Sequence, residues 1–104
     1  MQPTIDSAKV RREQIRWVLL QGLYNARPQG AYEQVLLSII QALYPDSTQL
    51  EIRRELDYLE ARSLAELRKE PSGRWWADLT RHGVDFCEYT IDAQAGIARP
   101  EKYW

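Results

Sequence analysis

Hydrophobic and polar positions in the first half of the chain repeat with the period of an α-helix, and turn-forming residues divide this half into two segments. The spacing predicts a first helix over Ser7–Asn25, which ends because Pro28 and Gly30 both resist continuation of a helix. A second helix is predicted over residues 31–44 and is stopped by Pro45. In both helices the side chains expected to face the core recur three or four positions apart: Ile15, Val18, Leu19, Leu23, Val35, Leu36, Ile39, Ile40 and Leu43.

A third helix is predicted directly after these two. Thr48 and Glu51 have the spacing of a capping box, in which each side chain satisfies the backbone amide of the other residue at the start of a helix. The residues that follow repeat apolar positions four and three apart, as on one face of a helix. We therefore expect Ile52, Leu56 and Leu59 to face the core.

The period then changes from that of a helix to the period of two that is typical of strands. Residues 65–69 and 75–79 alternate in this way, and Glu70-Pro71-Ser72-Gly73 between them has the composition of a tight turn. Trp75, Ala77 and Leu79 are expected to point inward, and Trp76 and Asp78 outward. A short last helix is predicted to start at Thr80. The tail over residues 90–104 has no helical pattern, and we expect Ile97, Tyr103 and Trp104 to cover the core.

A capped helix followed at once by a tight hairpin is the arrangement of a winged helix-turn-helix. The predicted fold class is mainly α with a small β-hairpin (α+β): three helices, a two-stranded wing, a short fourth helix and a C-terminal tail. With 104 residues, the chain is expected to form a single domain over residues 1–104. Its core would span residues 7–89, and the tail over 90–104 would pack on this core.

Composition points to an ordinary globular protein. The chain is 44% hydrophobic and 28% charged, and its apolar runs are too short to cross a bilayer. We therefore expect no membrane partner. No secretory signal is visible near Met1. Cys87 is the only cysteine, which excludes an internal disulfide and fits a reducing compartment. The expected location is the cytoplasm.

Few residues are suited to catalysis. The single histidine, His82, and the single cysteine, Cys87, are five positions apart on a short helix and point in different directions, so they do not form a nucleophile–base pair. We expect His82 on an exposed turn and Cys87 as a small buried hydrophobe. The carboxylates alternate with basic residues, which is typical of a solvated, ion-paired helix face. The sequence therefore predicts no enzyme, no catalytic residue, no metal site, no cofactor and no small-molecule substrate.

The charge balance bears on nucleic-acid binding. Net charge is −1, the calculated isoelectric point is about 5.8, and residues 48–62 contain three basic and four acidic side chains. Many DNA-binding domains carry a basic excess, because neutralising phosphates supplies most of their non-specific affinity. DNA binding here would need a local cluster of cations. Lys69 and Arg74 flank the tip of the wing, where contacts to the DNA backbone are expected.

The outward side of the third helix admits a second interpretation. It carries Leu50, Arg54 and Tyr58, which together with Trp76 of the hairpin would suit a protein partner. Leu50 and Tyr58 are equally suited to pack against the first helix or the tail. Four cations on the first helix, namely Lys9, Arg11, Arg12 and Arg16, are more typical of a solvated face than of a binding site.

Three segments carry a family resemblance: RRELDYLEARSL over 53–64, W-x-A-x-L-T-R-H-G over 75–83, and EYT with GIARPEKYW over 88–104. The chain resembles small winged-helix proteins encoded by Mu-like transposable phages and prophages, which implies a phage origin and a fold. It also resembles, more loosely, bacterial winged-helix transcriptional regulators, and Ser63 stands where these regulators usually have glycine. Carried over position by position, that resemblance implies DNA contacts by Thr48, Gln49, Arg53 and Arg54 from the helix and by Lys69 and Arg74 from the wing.

Two hypotheses follow. In the first, the protein binds double-stranded DNA in a regulatory or DNA-handling role, weakly or as a homodimer. In the second, it is an adaptor or inhibitor that binds a host or phage protein through Leu50, Arg54, Tyr58 and Trp76. Fold alone does not decide between them.

Overall fold

The computed structural model describes residues 6–104 and contains, within this range, four helices and a three-stranded antiparallel sheet. The elements are α1 (Ser7–Asn25), β1 (Ala31–Tyr32), α2 (Glu33–Leu43), α3 (Gln49–Ala61), β2 (Ala65–Lys69), β3 (Trp75–Leu79) and α4 (Arg81–Cys87). Their order and the hairpin after α3 are those of a winged helix-turn-helix, which confirms the predicted fold class. None of the helices within this range is long and apolar enough to cross a membrane.

Side chains placed just before three of the helices fix where those helices begin. Asp6, Thr48 and Thr80 accept hydrogen bonds from the backbone amides of Lys9, Glu51 and Gly83, at 3.1, 3.3 and 3.0 Å. Such caps satisfy amides that have no partner within the helix. The capping box predicted for Thr48 and Glu51 is only half formed. The Glu51 carboxylate accepts hydrogen bonds from the side chain of Arg11 instead.

The second helix begins two residues later than predicted, because Ala31 and Tyr32 form a strand. Ala31 pairs with Ala77 and Tyr32 pairs with Trp76, so that the sheet has the order β1-β3-β2. The predicted two-stranded wing is therefore part of a three-stranded sheet. A strand of two residues has no alternation that a sequence pattern can reveal, and it exists here only because β3 supplies its partners.

The core lies between α1, α2, α3 and α4 and includes all residues predicted for α3. Of the residues predicted for α1, Val18 is only partly buried and packs against the core. Eleven large side chains are fully buried: Ile15, Leu19, Leu20, Leu23, Leu36, Ile40, Ile52, Leu56, Leu59, Leu64 and Phe86. The stripe predicted for α2 is too wide. Only Leu36 and Ile40 of that stripe are buried, whereas Val35, Ile39 and Leu43 are exposed by 55%, 38% and 48%. Because α2 contacts the small core along only one narrow side, the apolar residues at the edges of its stripe remain exposed to solvent.

The hairpin has the predicted strands, with Ala65 opposite Leu79 and Lys69 opposite Trp75. The chain enters it through Ser63, whose φ of 61° lies in the left-handed region that glycine adopts most easily. Strand β2 is an edge of the sheet. Its outward amide at Leu67 donates a hydrogen bond of 2.9 Å to the carboxylate of Glu60 on α3.

Part of the tail crosses α1 and α3. Ile97 is buried, as predicted, and the amide of Ala98 donates a hydrogen bond of 3.1 Å to the carbonyl of Glu13. Tyr103 and Trp104 do not cover the core, contrary to expectation, because they remain 88% and 74% exposed. Trp104 instead meets the ring of Tyr89 edge to face, with 4.9 Å between the ring centroids.

Candidate nucleic-acid interface

Helix α3 has one buried side, two contact sides and one free side. Glu51 and Glu55 turn toward arginines of α1, and Asp57 and Glu60 turn toward the wing. Between these two contact sides the helix exposes Leu50, Arg54 and Ala61. We use the name α3–wing face for these three residues together with Lys69 and Arg74, the cations on either side of the hairpin turn.

Arg53 connects α3 to both α2 and the wing. Its guanidinium donates hydrogen bonds of 2.7 and 2.6 Å to the two carboxylate oxygens of Glu33, and another of 2.6 Å to the carbonyl of Gly73 at the wing tip. Glu33 is only 2% exposed. The hydrogen bonds from Arg53 lower the pKa of Glu33, and the same contact raises the pKa of Arg53. This ion pair fixes the wing tip beside the start of α3.

The four helix residues predicted to contact DNA have different surroundings. Thr48 caps the helix, and the side-chain amide of Gln49 donates a hydrogen bond of 3.0 Å to Glu33. Arg53 is engaged by the same carboxylate. Arg54 is exposed and forms no ion pair with any residue between positions 6 and 104. Of these four side chains, Arg54 alone extends from the helix as a charged group without an ionic partner in that range.

The cations of the wing are half-exposed and have partners within the protein. Lys69 lies 3.2 Å from Asp57 and over the ring of Trp75, and Arg74 lies 3.6 Å from Glu70 and over the ring of Tyr32. Ion pairs of this kind are weak, because water screens both charges. The pairs orient the two side chains that are predicted to contact DNA. Another anion can easily replace the carboxylate in each pair.

Two arginines of α1 are structural and are not part of a solvated face, contrary to the sequence-based interpretation. Arg11 donates hydrogen bonds to Glu51 and Asp46, and the Glu51 contact raises its pKa. Arg16 pairs with the buried carboxylate of Glu55 at 2.8 Å and donates a hydrogen bond of 2.9 Å to the carbonyl of Gly96 in the tail. The ion pairs run between elements, and the period along a single helix does not reveal them.

A shallow groove separates α1 from α3. Its volume is about 420 Å³, and its lining includes the exposed side chains of Arg12, Leu50 and Arg54. Arg12, like Arg54, has no ion pair among the residues that the structure describes. The groove extends the α3–wing face toward α1 with a second free cation.

The four residues suggested for a protein partner do not share one exposed surface. Leu50 is 58% exposed and borders Arg54 in the groove. Tyr58 lies under the guanidinium of Arg16, 3.5 Å from its ring centroid, and belongs to the contact between α1, α3 and the tail. Trp76 lies on the sheet face opposite to the buried Ala77, as predicted, but it is half-buried there, and its indole N–H donates a hydrogen bond of 3.1 Å to the carbonyl of Gln29.

The two residues most often used in catalysis are apart from each other. The ring of His82 is within hydrogen-bond distance of the Gln94 amide, at 3.2 Å. Cys87 is half-buried, its thiol lies 3.7 Å from the carbonyl of Leu20, and burial raises the thiol pKa to about 11. No three His, Cys, Asp or Glu side chains within residues 6–104 converge as a metal site would require.

The sequence interpretation missed the two buried carboxylates that organise this region, Glu33 and Glu55. A signal for Glu33 existed, because it is the only charged residue between Arg27 and Asp46. A lone carboxylate at the start of an otherwise uncharged helix is a candidate for a buried ion pair. Glu55 had no comparable signal, since it lies among many charged neighbours.

The fold is similar to that of a protein whose structure has been solved. The crystal structure of a candidate DNA-binding protein from Ralstonia eutropha JMP134 superposes on the chain with a TM-score of 0.59. The sequences are 24% identical, and the match covers 86% of this chain and 100% of the other chain. Identity at this level supports a shared fold and carries no residue roles. No protein-family model matches the chain, and no curated protein matches it either.

Proposed function

We propose that this protein binds double-stranded DNA through the α3–wing face. The observation that carries the proposal is the connection made by Arg53, which holds the wing tip at Gly73 beside the start of α3. A helix and a ribbon fixed side by side can contact a groove and the adjacent phosphates together. The description of the Ralstonia protein as a candidate DNA-binding protein supports the same function for this fold.

The affinity expected from this face is modest. Net charge is −1, so binding relies on Arg54, Lys69 and Arg74, with Arg12 at the side of the face. Because the ion pairs of Lys69 and Arg74 are half-exposed, a DNA phosphate can replace their carboxylates at little cost. Asp57 lies close to the face and opposes an approaching phosphate. Arg53 keeps its position through Glu33 and acts by holding the wing.

The test is the binding of the purified full chain to a fluorescent DNA duplex across a salt series. Each phosphate contact that is lost reduces the slope of log affinity against log salt concentration by about one. Lys69→Ala with Arg74→Ala should therefore reduce the slope by about two. The control pair Arg81→Ala with Lys102→Ala removes the same charge elsewhere and should leave the slope unchanged. If the wild type fails to bind at low salt, or if both pairs change the slope equally, the proposal is wrong.

A homodimer is part of this proposal, because two copies would double the phosphate contacts. The surface that supports it is the outward side of α2, where Val35, Ile39 and Leu43 are exposed. Glu33 is the only charged residue of α2 and is buried, so two such surfaces would not repel each other. Sedimentation equilibrium of the wild type and of Ile39→Lys tests this point. A wild type that stays monomeric at high concentration would remove the dimer and leave the DNA face intact.

We also place the protein in a phage or prophage, acting in regulation or in DNA handling within the cytoplasm of a bacterial host. The support is the resemblance of residues 53–64, 75–83 and 88–104 to proteins of Mu-like phages. Mapping of the sites that the protein occupies in its host cell tests the role. Occupancy concentrated at prophage promoters supports regulation, and even occupancy along prophage DNA supports a handling role. Occupancy that avoids prophage DNA contradicts both.

An adaptor function is the second candidate, and the observation that favours it is the exposure of Leu50 beside Arg54. Arginine is enriched among the residues that dominate binding to protein partners, and a partner would bury the exposed leucine beside it. A pull-down from host lysate with the wild type and with Leu50→Asp compares the two functions. The adaptor function would be favoured if the wild type captures a protein that Leu50→Asp does not capture, while both bind DNA equally well.

The proposed function is binding without catalysis. It is supported by the separation of His82 from Cys87 and by the half-buried thiol of Cys87, whose raised pKa keeps it protonated near neutral pH. A metal or cofactor that copurifies stoichiometrically with the full chain would contradict this part of the proposal.

A further inference from the structure

A cleft lies on the molecule between the C-terminal half of α1, the end of α4 and the tail. Its volume is about 420 Å³, which is within the range of small-molecule sites. We call it the aromatic cleft, since its lining includes five aromatic side chains: Trp17, Tyr24, Tyr89, Tyr103 and Trp104. It shares no lining residue with the α3–wing face and has no part in the proposed DNA binding.

The rings of the cleft meet at steep angles. Trp17 and Tyr89 are 6.3 Å apart with 74° between their planes, and Tyr89 and Trp104 are 4.9 Å apart with 79° between theirs. Each edge-to-face contact leaves ring surface without an aromatic partner. The cleft therefore has aromatic walls in several orientations, and the faces of such rings carry partial negative charge.

The polar groups of the cleft add to this negative character. Its lining includes Glu88 and Glu101, and the hydroxyl of Tyr24 donates a hydrogen bond of 2.6 Å to Glu88. Glu101 is exposed and forms no ion pair within residues 6–104. Among the described residues that line the cleft there is no lysine or arginine.

Rings of this cleft already attract cations from outside it. The guanidinium of Arg27 lies 4.0 Å from the ring centroid of Tyr24, and that of Arg99 lies 4.2 Å from the centroid of Tyr89. Neither arginine lines the cleft. The ammonium group of Lys102, which does not line the cleft either, lies 5.8 Å from the ring centroid of Trp104. The rings of the cleft are thus placed to attract positive charge, and none of the described residues that line it is basic.

We propose that the aromatic cleft binds an organic cation carrying an alkylated ammonium group. Aromatic rings that surround such a group, with carboxylates nearby, bind it through cation–π and Coulomb attraction while its alkyl groups replace water on the rings. The strong exposure of Tyr103 and Trp104, which the fold does not use in its core, is explained if both rings contact the ligand. The same chemistry is present in a free choline-like molecule and in a methylated lysine side chain.

The test uses the full chain, with choline chloride as the probe and 3,3-dimethylbutan-1-ol as a neutral molecule of the same shape. NMR of the indole N–H groups gives an internal control, because Trp17 and Trp104 line the cleft and Trp75 and Trp76 belong to the wing. Choline should shift the first two signals saturably and leave the wing signals in place. The neutral analogue should bind about tenfold more weakly, as expected for the loss of a cation–π contact.

Variants distinguish the cleft from the rest of the surface. Trp104→Ala and Glu101→Gln replace exposed residues and should each weaken choline binding several-fold, with unchanged circular dichroism. Glu66→Gln removes the same charge from an exposed position on β2 and should have no effect. Trimethyllysine amide identifies the source of the cation. If it binds more tightly than choline, the site takes a protein side chain, and otherwise it takes a free small molecule.

Three outcomes would overturn the proposal. They are an absence of saturable shifts with choline or trimethyllysine amide, equal binding of choline and its neutral analogue, and shifts confined to Trp75 and Trp76. None of them bears on DNA binding through the α3–wing face, so the two proposals fail separately.

Discussion

The guanidinium of Arg53 occupies both carboxylate oxygens of Glu33, at 2.7 and 2.6 Å, where α2 begins and beside the wing tip. Glu33 also accepts a hydrogen bond from Gln49, so one buried carboxylate orients two residues of α3. A buried carboxylate is stable only when its charge is paired and its oxygens are hydrogen-bonded. This pair therefore helps to fix the position of the wing relative to α3, together with the contacts of Lys69 with Asp57 and of Leu67 with Glu60.

Replacement of Arg53 should destabilise the fold more than replacement of its neighbour Arg54. Arg53→Met leaves the Glu33 charge buried without its cation, whereas Arg54→Met changes an exposed side chain that has no ionic partner in the described range. The second change should alter the free energy of unfolding by at most about 0.5 kcal/mol. Urea unfolding of both variants measures the difference. Equal losses would show that the Glu33 pair does not hold the wing.

Stability should depend on pH through Glu33. Its pKa is lowered in the folded protein from the ordinary value of 4.5, so the unfolded chain binds more protons in acid than the folded one. The stabilisation is present above pH 4.5 and is lost as pH falls through the lowered folded-state value. Glu33→Gln removes this titration. The unfolding free energy of the variant should therefore fall less steeply below pH 4.5 than that of the wild type, and parallel curves would contradict the assignment.

Removal of the carboxylate beside the α3–wing face should strengthen DNA binding. Asp57 lies 3.2 Å from Lys69 and opposes an approaching phosphate. Asp57→Asn frees Lys69 and should raise affinity for duplex DNA several-fold at low salt. Glu66→Gln makes the same change in net charge at an exposed position of β2. Fluorescence anisotropy compares the two, and an equal gain from both would mean that only net charge matters.

Cys87 should react slowly with alkylating reagents while the protein is folded. Its thiol pKa of about 11, against an ordinary 9.0, leaves about a hundredfold less thiolate near neutral pH. Burial also limits access of the reagent. Iodoacetamide labelling followed by mass spectrometry, with and without urea at one pH, gives the ratio of rates. A labelling rate in the folded protein close to that in urea would show that the thiol is exposed and that its pKa is not raised.

The junction between α4 and the wing should not tolerate a side chain at Gly83. A Cβ atom there would lie 2.0 Å from the carbonyl oxygen of Leu64, so the backbone itself would have to move. Gly83→Ala is expected to cost about 3 kcal/mol of stability. Gly22→Ala provides the comparison, because its Cβ would meet only the ends of side chains, Ile39 at 3.2 Å and Leu36 at 3.4 Å. Thermal unfolding of both variants tests this, and similar midpoints would contradict the prediction.

The sequence predicted the elements that depend on local pattern. The bounds of α1, the start of α3 at the Thr48 cap and both strands of the hairpin are confirmed, because each has a period or a cap that neighbouring residues define. Strand β1 and the exposed apolar side of α2 were not predicted. Both depend on what another element covers, and the residues nearby do not encode this.

The candidate site was predicted less well than the fold. The residues of α3 and the wing were expected to be free, but Gln49 and Arg53 hold Glu33, and Lys69 pairs with Asp57. The partners lie 12 to 20 residues away in the chain. Helical spacing reports contacts three or four residues apart, so ion pairs between elements escape it. Arg54 remained exposed because neither neighbouring element reaches it.

The hydrogen bond between the Leu67 amide and the Glu60 carboxylate has a consequence for behaviour at high concentration. An outermost ribbon with unpaired amides can recruit a ribbon from another molecule and begin fibril growth. Here the carboxylate of Glu60 on α3 accepts the hydrogen bond of one such amide. Glu66 and Arg68 add exposed charges to the same edge strand, β2. We therefore expect the protein to remain soluble at high concentration, because β2 is a poor template for edge-to-edge pairing with the sheet of another molecule.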